Sequence, residues 1–258
     1  MNTHDLYEIS KLVREDILRM SNKSGSAHIA PALSCADIIV ALYFHLMNKD
    51  DRFILSKGHG CMSYYSVLSR KGLIPVEWLQ TYSENGGMLA EHPSSNIPGV
   101  SVCSGSLGHG LSISVGAALA RKIQNNNGVE YVLMGDGECN EGSVWEAAMY
   151  ASHAGLNNLV AFIDKNNFQA TNLCLNVINT KTSMAEKWRS FGWHVLEIDG
   201  HDYGQLINIK NSSQSPLIVI ANTIKGKGIS FMENDLEWHY KSPNNKELEL
   251  AIKELYHA

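Results

Sequence analysis

Apolar residues recur along this chain with two periods. Leu6, Ile9, Val13 and Ile17 fall on one face of a helix. A second helix is predicted to start at Ser34, with Asp37 three residues on in the manner of a capping box, and to run through Ile38, Ile39, Ala41 and Leu42. Beyond it, short continuous apolar runs alternate with helical stretches. Strands are predicted at 53–55, 131–134, 159–163, 194–198 and 217–220, and helices at 61–70, 107–123, 141–154, 184–191 and 245–256. Gly155 stands where a left-handed helix cap is natural, and Asn125-Asn126-Asn127-Gly128 reads as a surface loop. Strands apolar on both faces, alternating with helices, specify an α/β fold. The expected architecture is a doubly wound, mainly parallel sheet with helices on both faces, in a single domain over 1–258. Ligands of such sheets bind at the carboxyl ends of the strands, which directs attention to the loops after Met134, Ile163 and Ile220.

Composition narrows the setting. With 258 residues, 44% of them apolar, the chain can bury one large core. A net charge of -5 offers no basic stripe, so nucleic acid is not an expected partner. The first twenty residues carry Asp5, Glu8, Lys11, Arg14, Glu15, Asp16 and Arg19 and lack the apolar centre of a signal peptide. No apolar stretch is read as a membrane span, so no membrane partner is expected. Cys35, Cys61, Cys103, Cys139 and Cys174 are odd in number and never spaced as Cys-x-x-Cys, which points to reduced thiols in a cytoplasm.

The candidate chemistry sits at strand ends. The 131–134 strand runs into Gly135-Asp136-Gly137-Glu138 and then a helix. Glycines there let backbone N–H groups approach a phosphate, and a helix N-terminus favours negative charge. A carboxylate beside a phosphate makes sense when a divalent cation lies between them. The 159–163 strand delivers Asp164-Lys165-Asn166-Asn167-Phe168, so Asn166 follows Asp136 by one βαβ unit and the two side chains emerge from neighbouring strand ends. Hard oxygen ligands of this kind suit Mg2+, with Ca2+ or Mn2+ as alternatives. Taken by itself, Gly135-Asp136-Gly137 reads first as an ordinary tight turn, and Asn166-Asn167 as an ordinary loop; the strand–turn–helix context and the asparagine one unit later favour the metal–diphosphate reading.

In this context the segment resembles the thiamine diphosphate motif, and Glu141-Gly142, Trp145-Glu146-Ala147 and the run from 156 to 164 are similar to transketolases in particular. The resemblance implies the diphosphate-binding domain of the thiamine-diphosphate fold. In it Asp136, Asn166 and the carbonyl of Phe168 ligate the metal, while Gly135, Gly137 N–H and Glu138 face the cofactor. Glu141 and Glu146 match acidic residues at the family's dimer interface, Glu141 counting among the catalytic set. Solvated carboxylates favoured by the helix dipole are the alternative.

Ser24-Gly25-Ser26-Ala27-His28, Ser56-Lys57-Gly58-His59-Gly60 and Glu91-His92-Pro93 resemble the family's active-site histidine segments. Trp238-His239, after Thr223-Ile224-Lys225-Gly226, resembles a fourth near the diphosphate. His28, His59 and His92 are thus the catalytic candidates, with His59 and His239 also near the cofactor. Imidazoles around one pocket can hold sugar hydroxyls and move protons near neutral pH. Cys103 to Gly110 resembles the loop under the cofactor, with Gly105 beside its aminopyrimidine and Leu107 beneath it; Ser106 and His109 stand where the family commonly has proline and glutamine. His4, His45, His153, His194, His201 and His257 receive no role.

The family's pyrimidine-binding and C-terminal domains have no counterpart before Ala258. The resemblance therefore implies the N-terminal half of a two-polypeptide transketolase, an α2β2 assembly acting on sugars or sugar phosphates, with a C-terminal partner bearing the pyrimidine-binding domain. The alternatives are a 1-deoxyxylulose-5-phosphate synthase-like or 2-oxo-acid dehydrogenase α-type component, or a non-catalytic scaffold.

Overall fold

The computed structural model describes residues 1–178 and 180–257. In chain order the elements are α1 (Thr3–Ser24), α2 (Ile29–Ala41), β1 (Arg52–Leu55), α3 (Cys61–Arg70), α4 (His109–Ile123), β2 (Glu130–Gly135), α5 (Gly142–His153) and β3 (Leu159–Lys165). A short hairpin, β4 (Phe168–Gln169) and β5 (Asn172–Leu173), leads to α6 (Cys174–Val177), α7 (Met184–Ser190), β6 (His194–Asp199), α8 (Tyr203–Leu206), β7 (Leu217–Asn222) and α9 (Asn245–His257). Five strands form one parallel sheet in the order β1-β2-β3-β7-β6.

Alternation along each strand divides the core in two. Phe53, Leu55, Leu133, Phe162 and Val219 face α1, α2, α3, α8 and α9, whereas Ile54, Val132, Met134, Ile163 and Ile220 face α4, α5 and α7. Both faces of the sheet are covered, which is why its central strands read as unbroken apolar runs. Fully burying each such side chain contributes about 1.5–3 kcal/mol.

The second helix begins five residues earlier than its sequence signal. Its N-cap is His28, in a left-handed conformation at φ 72°, and Pro31 is accommodated in the first turn, where a missing N–H is harmless. Ser34 is interior and caps nothing. Every residue of α2 is buried, between α1 and α3. By length and composition alone, Ile29–Leu46 passes as a membrane-spanning helix, contrary to the reading of the sequence; it is mostly buried inside the fold, and that burial accounts for its apolarity.

Register brings the chemistry together. Gly135 pairs with Asp164, and Asp164 with Ala221, so the carboxyl ends of β2, β3 and β7 meet on one rim. The segment after β7 returns across that rim, where His28 N–H donates to the His239 carbonyl at 2.8 Å.

Candidate active site

A cavity of about 300 Å³ opens at this rim. Its lining includes His28, His59, His92, Gly105, Leu107, Gly135, Asp136, Gly137, Glu138, Asn166, Phe168 and His239, drawn from segments spread over more than two hundred positions. Glu141 is absent from it. It is the N-cap of α5 and is exposed to solvent, as is Glu146 along that helix. His109, the first residue of α4, is exposed and likewise outside.

Asp136 is 6% exposed. Its Oδ1 accepts from Gly137 N at 2.9 Å and its Oδ2 from Asn167 N at 2.6 Å, yet among the described residues no cationic side chain pairs with it. Burial and the neighbouring Asp164 charge push its pKa up to about 6. A buried carboxylate strained in this way, next to an asparagine amide, is a fitting place for a hard cation. The Gly137 N–H read as a phosphate contact is spent here on Asp136. Gly135 has open space where a Cβ would project, although its N–H, too, is already given, to Glu138 at 3.1 Å.

Beneath these ligands lies a network that the sequence did not announce. Asp164 is fully buried and accepts from Lys57 Nζ, Thr223 Oγ1, Ser34 Oγ (2.5 Å) and, more weakly, Asn166 Nδ2 (3.4 Å). Burial alone would raise its pKa, but Lys57 and the hydroxyls hold it below the ordinary carboxylate value. Glu138, read as a cofactor contact, is occupied in the same structural manner. It accepts from Ser56 Oγ, from Gly108 N at 2.9 Å and from Gly135 N at 3.1 Å, and so ties three loops together.

The histidines cluster. The His28 ring lies 5.7 Å from His59, 6.2 Å from His92 and 5.2 Å from His239, centre to centre. Burial lowers the pKa of His28, with His92 adding to the effect; burial takes His59 well below the usual value, with Lys57 adding. Burial and then Lys225 bring His239 down to about 3, and burial with Lys57 brings Lys225 itself to about 8. Lys225 Nζ donates to His239 Nδ1 at 3.0 Å, which assigns the ring proton to Nε2. His28 Nδ1 is buried without a hydrogen-bond partner. Three neutral imidazoles therefore share one pocket, one of them with an orphaned nitrogen.

Comparison decides the family. The thiamine diphosphate binding domain of transketolase matches residues 8–256. The chain belongs to the transketolase family. It is 39% identical to a subunit of the apulose-4-phosphate transketolase of Phocaeicola vulgatus, over 94% of this chain and 90% of that one. It is 37% identical to the 6-deoxy-6-sulfo-D-fructose transketolase subunit SqwG of a Clostridium strain, over 97% of this chain and 96% of that one. Human transketolase is 32% identical over 97% of this chain, which spans 42% of the human protein. The transketolase structure from Campylobacter jejuni superposes with a TM-score of 0.92 at 27% identity, over 99% of this chain and 43% of that one. This transketolase chain is accordingly a thiamine-diphosphate-dependent transferase component.

Lys57, Asp164, Thr223 and Lys225 are the site residues that sequence reasoning passed over. Each sits at or just beyond the carboxyl end of a strand, so the strand-end rule could have found them.

Proposed function

We propose that this chain is the N-terminal subunit of a two-component transketolase that moves a two-carbon ketol unit from a ketose phosphate, or a similarly anionic ketose, to an aldehyde. The observation that carries the reading is the meeting of Asp136, Asn166 and four histidines in one cavity. Relatives named for apulose 4-phosphate and for a sulfonated fructose favour an anionic ketose as donor. Those relatives are named as single subunits of their enzymes, and this chain matches only 42% of the human enzyme. Both facts support a separate partner bearing the pyrimidine-binding half, in an α2β2 assembly.

Asp136, Asn166 and the Phe168 carbonyl would hold Mg2+, and Lys225 would face the diphosphate. Thiamine diphosphate, when bound, supplies the carbon nucleophile on which the ketol unit travels. The protein's part is orientation and proton handling. His239 offers Nε2–H as a donor because Lys225 occupies Nδ1. His28 offers Nδ1, whose missing partner is supplied by a substrate hydroxyl. His59, held neutral by burial beside Lys57, accepts or donates without bringing a second positive charge. The compartment proposed is the cytoplasm.

The test is reconstitution. The chain is purified alone and together with a C-terminal transketolase partner, with Mg2+ and thiamine diphosphate, and ketol transfer from ketose phosphates is assayed against pyruvate as donor. Transfer by the pair alone supports the reading. Full activity of the lone chain refutes the split, and turnover of pyruvate instead of ketose refutes the reaction class.

A further inference from the structure

Asparagine can present either its oxygen or its nitrogen to a cation site, and only the oxygen can bind. What faces the amide on its other side therefore decides whether Asn166 works. Asn166 Nδ2 donates to Ser34 Oγ at 3.3 Å and, more weakly, to Asp164 Oδ2 at 3.4 Å, so both groups that face the amide nitrogen are acceptors. A hydroxyl has one proton, and Ser34 commits it to Asp164 Oδ2 at 2.5 Å in preference to the Pro31 carbonyl at 3.1 Å. The Ser34 oxygen is left as an acceptor for the Asn166 amide. Asp164, ionised, can only accept. Lys57 and Thr223 donate to it from the other directions, so its charge is matched and its polarity cannot reverse.

We propose that Asp164 is a positioning residue for the metal site: through Ser34 it fixes the sense of a hydrogen-bond chain that turns the Asn166 oxygen outward. The Phe168 N–H, at 3.0 Å from Asn166 Oδ1, holds the outer end in the same sense. The chain crosses from α2 to β3, and neither Asp164 nor Ser34 needs to touch the cation. The inference rests on the metal reading of Asp136 and Asn166 given above.

The experiment is a Mn2+ titration of the full chain with thiamine diphosphate, followed by water-proton relaxation, which separates protein-bound Mn2+ from free and cofactor-bound ion. Melting of the metal-free chain serves as the folding control. Asp164→Asn gives residue 164 a donor, which can reverse the Ser34 hydroxyl; Mn2+ affinity should fall by about 10–100-fold, the usual effect of disturbing an outer-sphere partner. The decisive variant is D164N/N166D. It keeps the total charge, and a carboxylate at 166 presents an oxygen from both ends, so orientation ceases to matter and Mn2+ affinity should return to within about tenfold of the parent. Because a carboxylate at 166 also adds ligand charge, Asn166→Asp alone is titrated beside it: a purely structural role for Asp164 predicts the same loss from N166D to D164N/N166D as from the parent to Asp164→Asn, whereas the orienting role predicts little loss.

Ser34→Ala, which spares the Lys57–Asp164 pair, should weaken Mn2+ binding without lowering the melting temperature in proportion, and carries the test where Asp164→Asn fails to fold. Parent-like Mn2+ binding by Asp164→Asn or Ser34→Ala overturns the proposal, as does a folded D164N/N166D chain that does not recover. Absence of Mn2+ binding by the parent chain overturns the metal reading itself.

Discussion

A buried ion pair far from the cavity rim provides the sharpest quantitative prediction. Arg14 of α1 and Asp37 of α2 are 5% and 3% exposed. Asp37 accepts from Arg14 at 3.0 and 2.6 Å and from Tyr203 OH at 3.2 Å, and pairs with His201 Nδ1 at 2.7 Å. The same cluster grips the loop that carries Lys225: His201 Nε2 accepts from Ile224 N at 2.9 Å, and Arg14 Nε donates to the Lys227 carbonyl at 3.0 Å. Asp37→Asn leaves the guanidinium buried without its countercharge. Breaking one side of a buried pair costs about 3–5 kcal/mol, and at about 2–4 °C per kcal/mol for a domain near this size the melting temperature should fall by about 6–20 °C.

Arg14→Met should cost a similar amount from the opposite side. The double variant should lose less than the two singles together, by about 0.5–3 kcal/mol, because removing the second partner no longer strands a charge. The assay is reversible urea unfolding of the cofactor-free chain, with thiamine diphosphate affinity measured in parallel. Asp37→Asn should also weaken cofactor binding through the Ile224–Lys227 loop. Additivity of the two singles, or a loss below about 1 kcal/mol for Asp37→Asn, would refute the coupling.

Three further outcomes are expected. Lys225 has a folded pKa of about 8 against 10.5 unperturbed, so between those values the unfolded chain binds the extra proton and stability rises with pH; Lys225→Met should abolish that rise, stabilise the cofactor-free chain at pH 7 by about 1–3 kcal/mol and weaken cofactor binding, all readable by denaturation and calorimetry. Glu138→Gln sets an amide N–H2 against one of the donors from Ser56, Gly108 and Gly135 and should cost about 1–3 kcal/mol in urea unfolding, with weaker cofactor binding. Chelation of divalent metal should weaken thiamine diphosphate binding in calorimetry, since the diphosphate charge would then face the buried Asp136 carboxylate unneutralised.

Local chemistry made much of this protein legible. The helix at 61–70 and the cores of β1, β2, β3 and β7 follow from apolar period alone, because both faces of the sheet are buried and no polar residue interrupts those runs. The site was legible where function demands a local signature, in glycines beside Asp136 and in loops with a histidine. It was illegible where partners are distant. Ser34 looked like a helix cap because Ser-x-x-Asp is a capping pattern, whereas its hydroxyl answers to Asp164, 130 positions later. His201 received no role because nothing near it in the chain reveals Asp37, 164 positions earlier. The long irregular stretch between α3 and α4, which carries His92 and Gly105 to the cavity, has no period to read. Glu141 is exposed and lies outside the cavity of a single chain.

The strand order bears on how the molecule is made. β6 is synthesised before β7, yet β7 is its neighbour in the sheet and inserts between it and β3. Until residue 222 has left the ribosome, β3 presents an open edge and β6 has nothing to join, and the nascent chain carries two unsatisfied strands. The His28 backbone waits longer still, for His239. Vectorial synthesis thus postpones the closing of the sheet until β7 has emerged and the completion of the pocket until His239 has followed it.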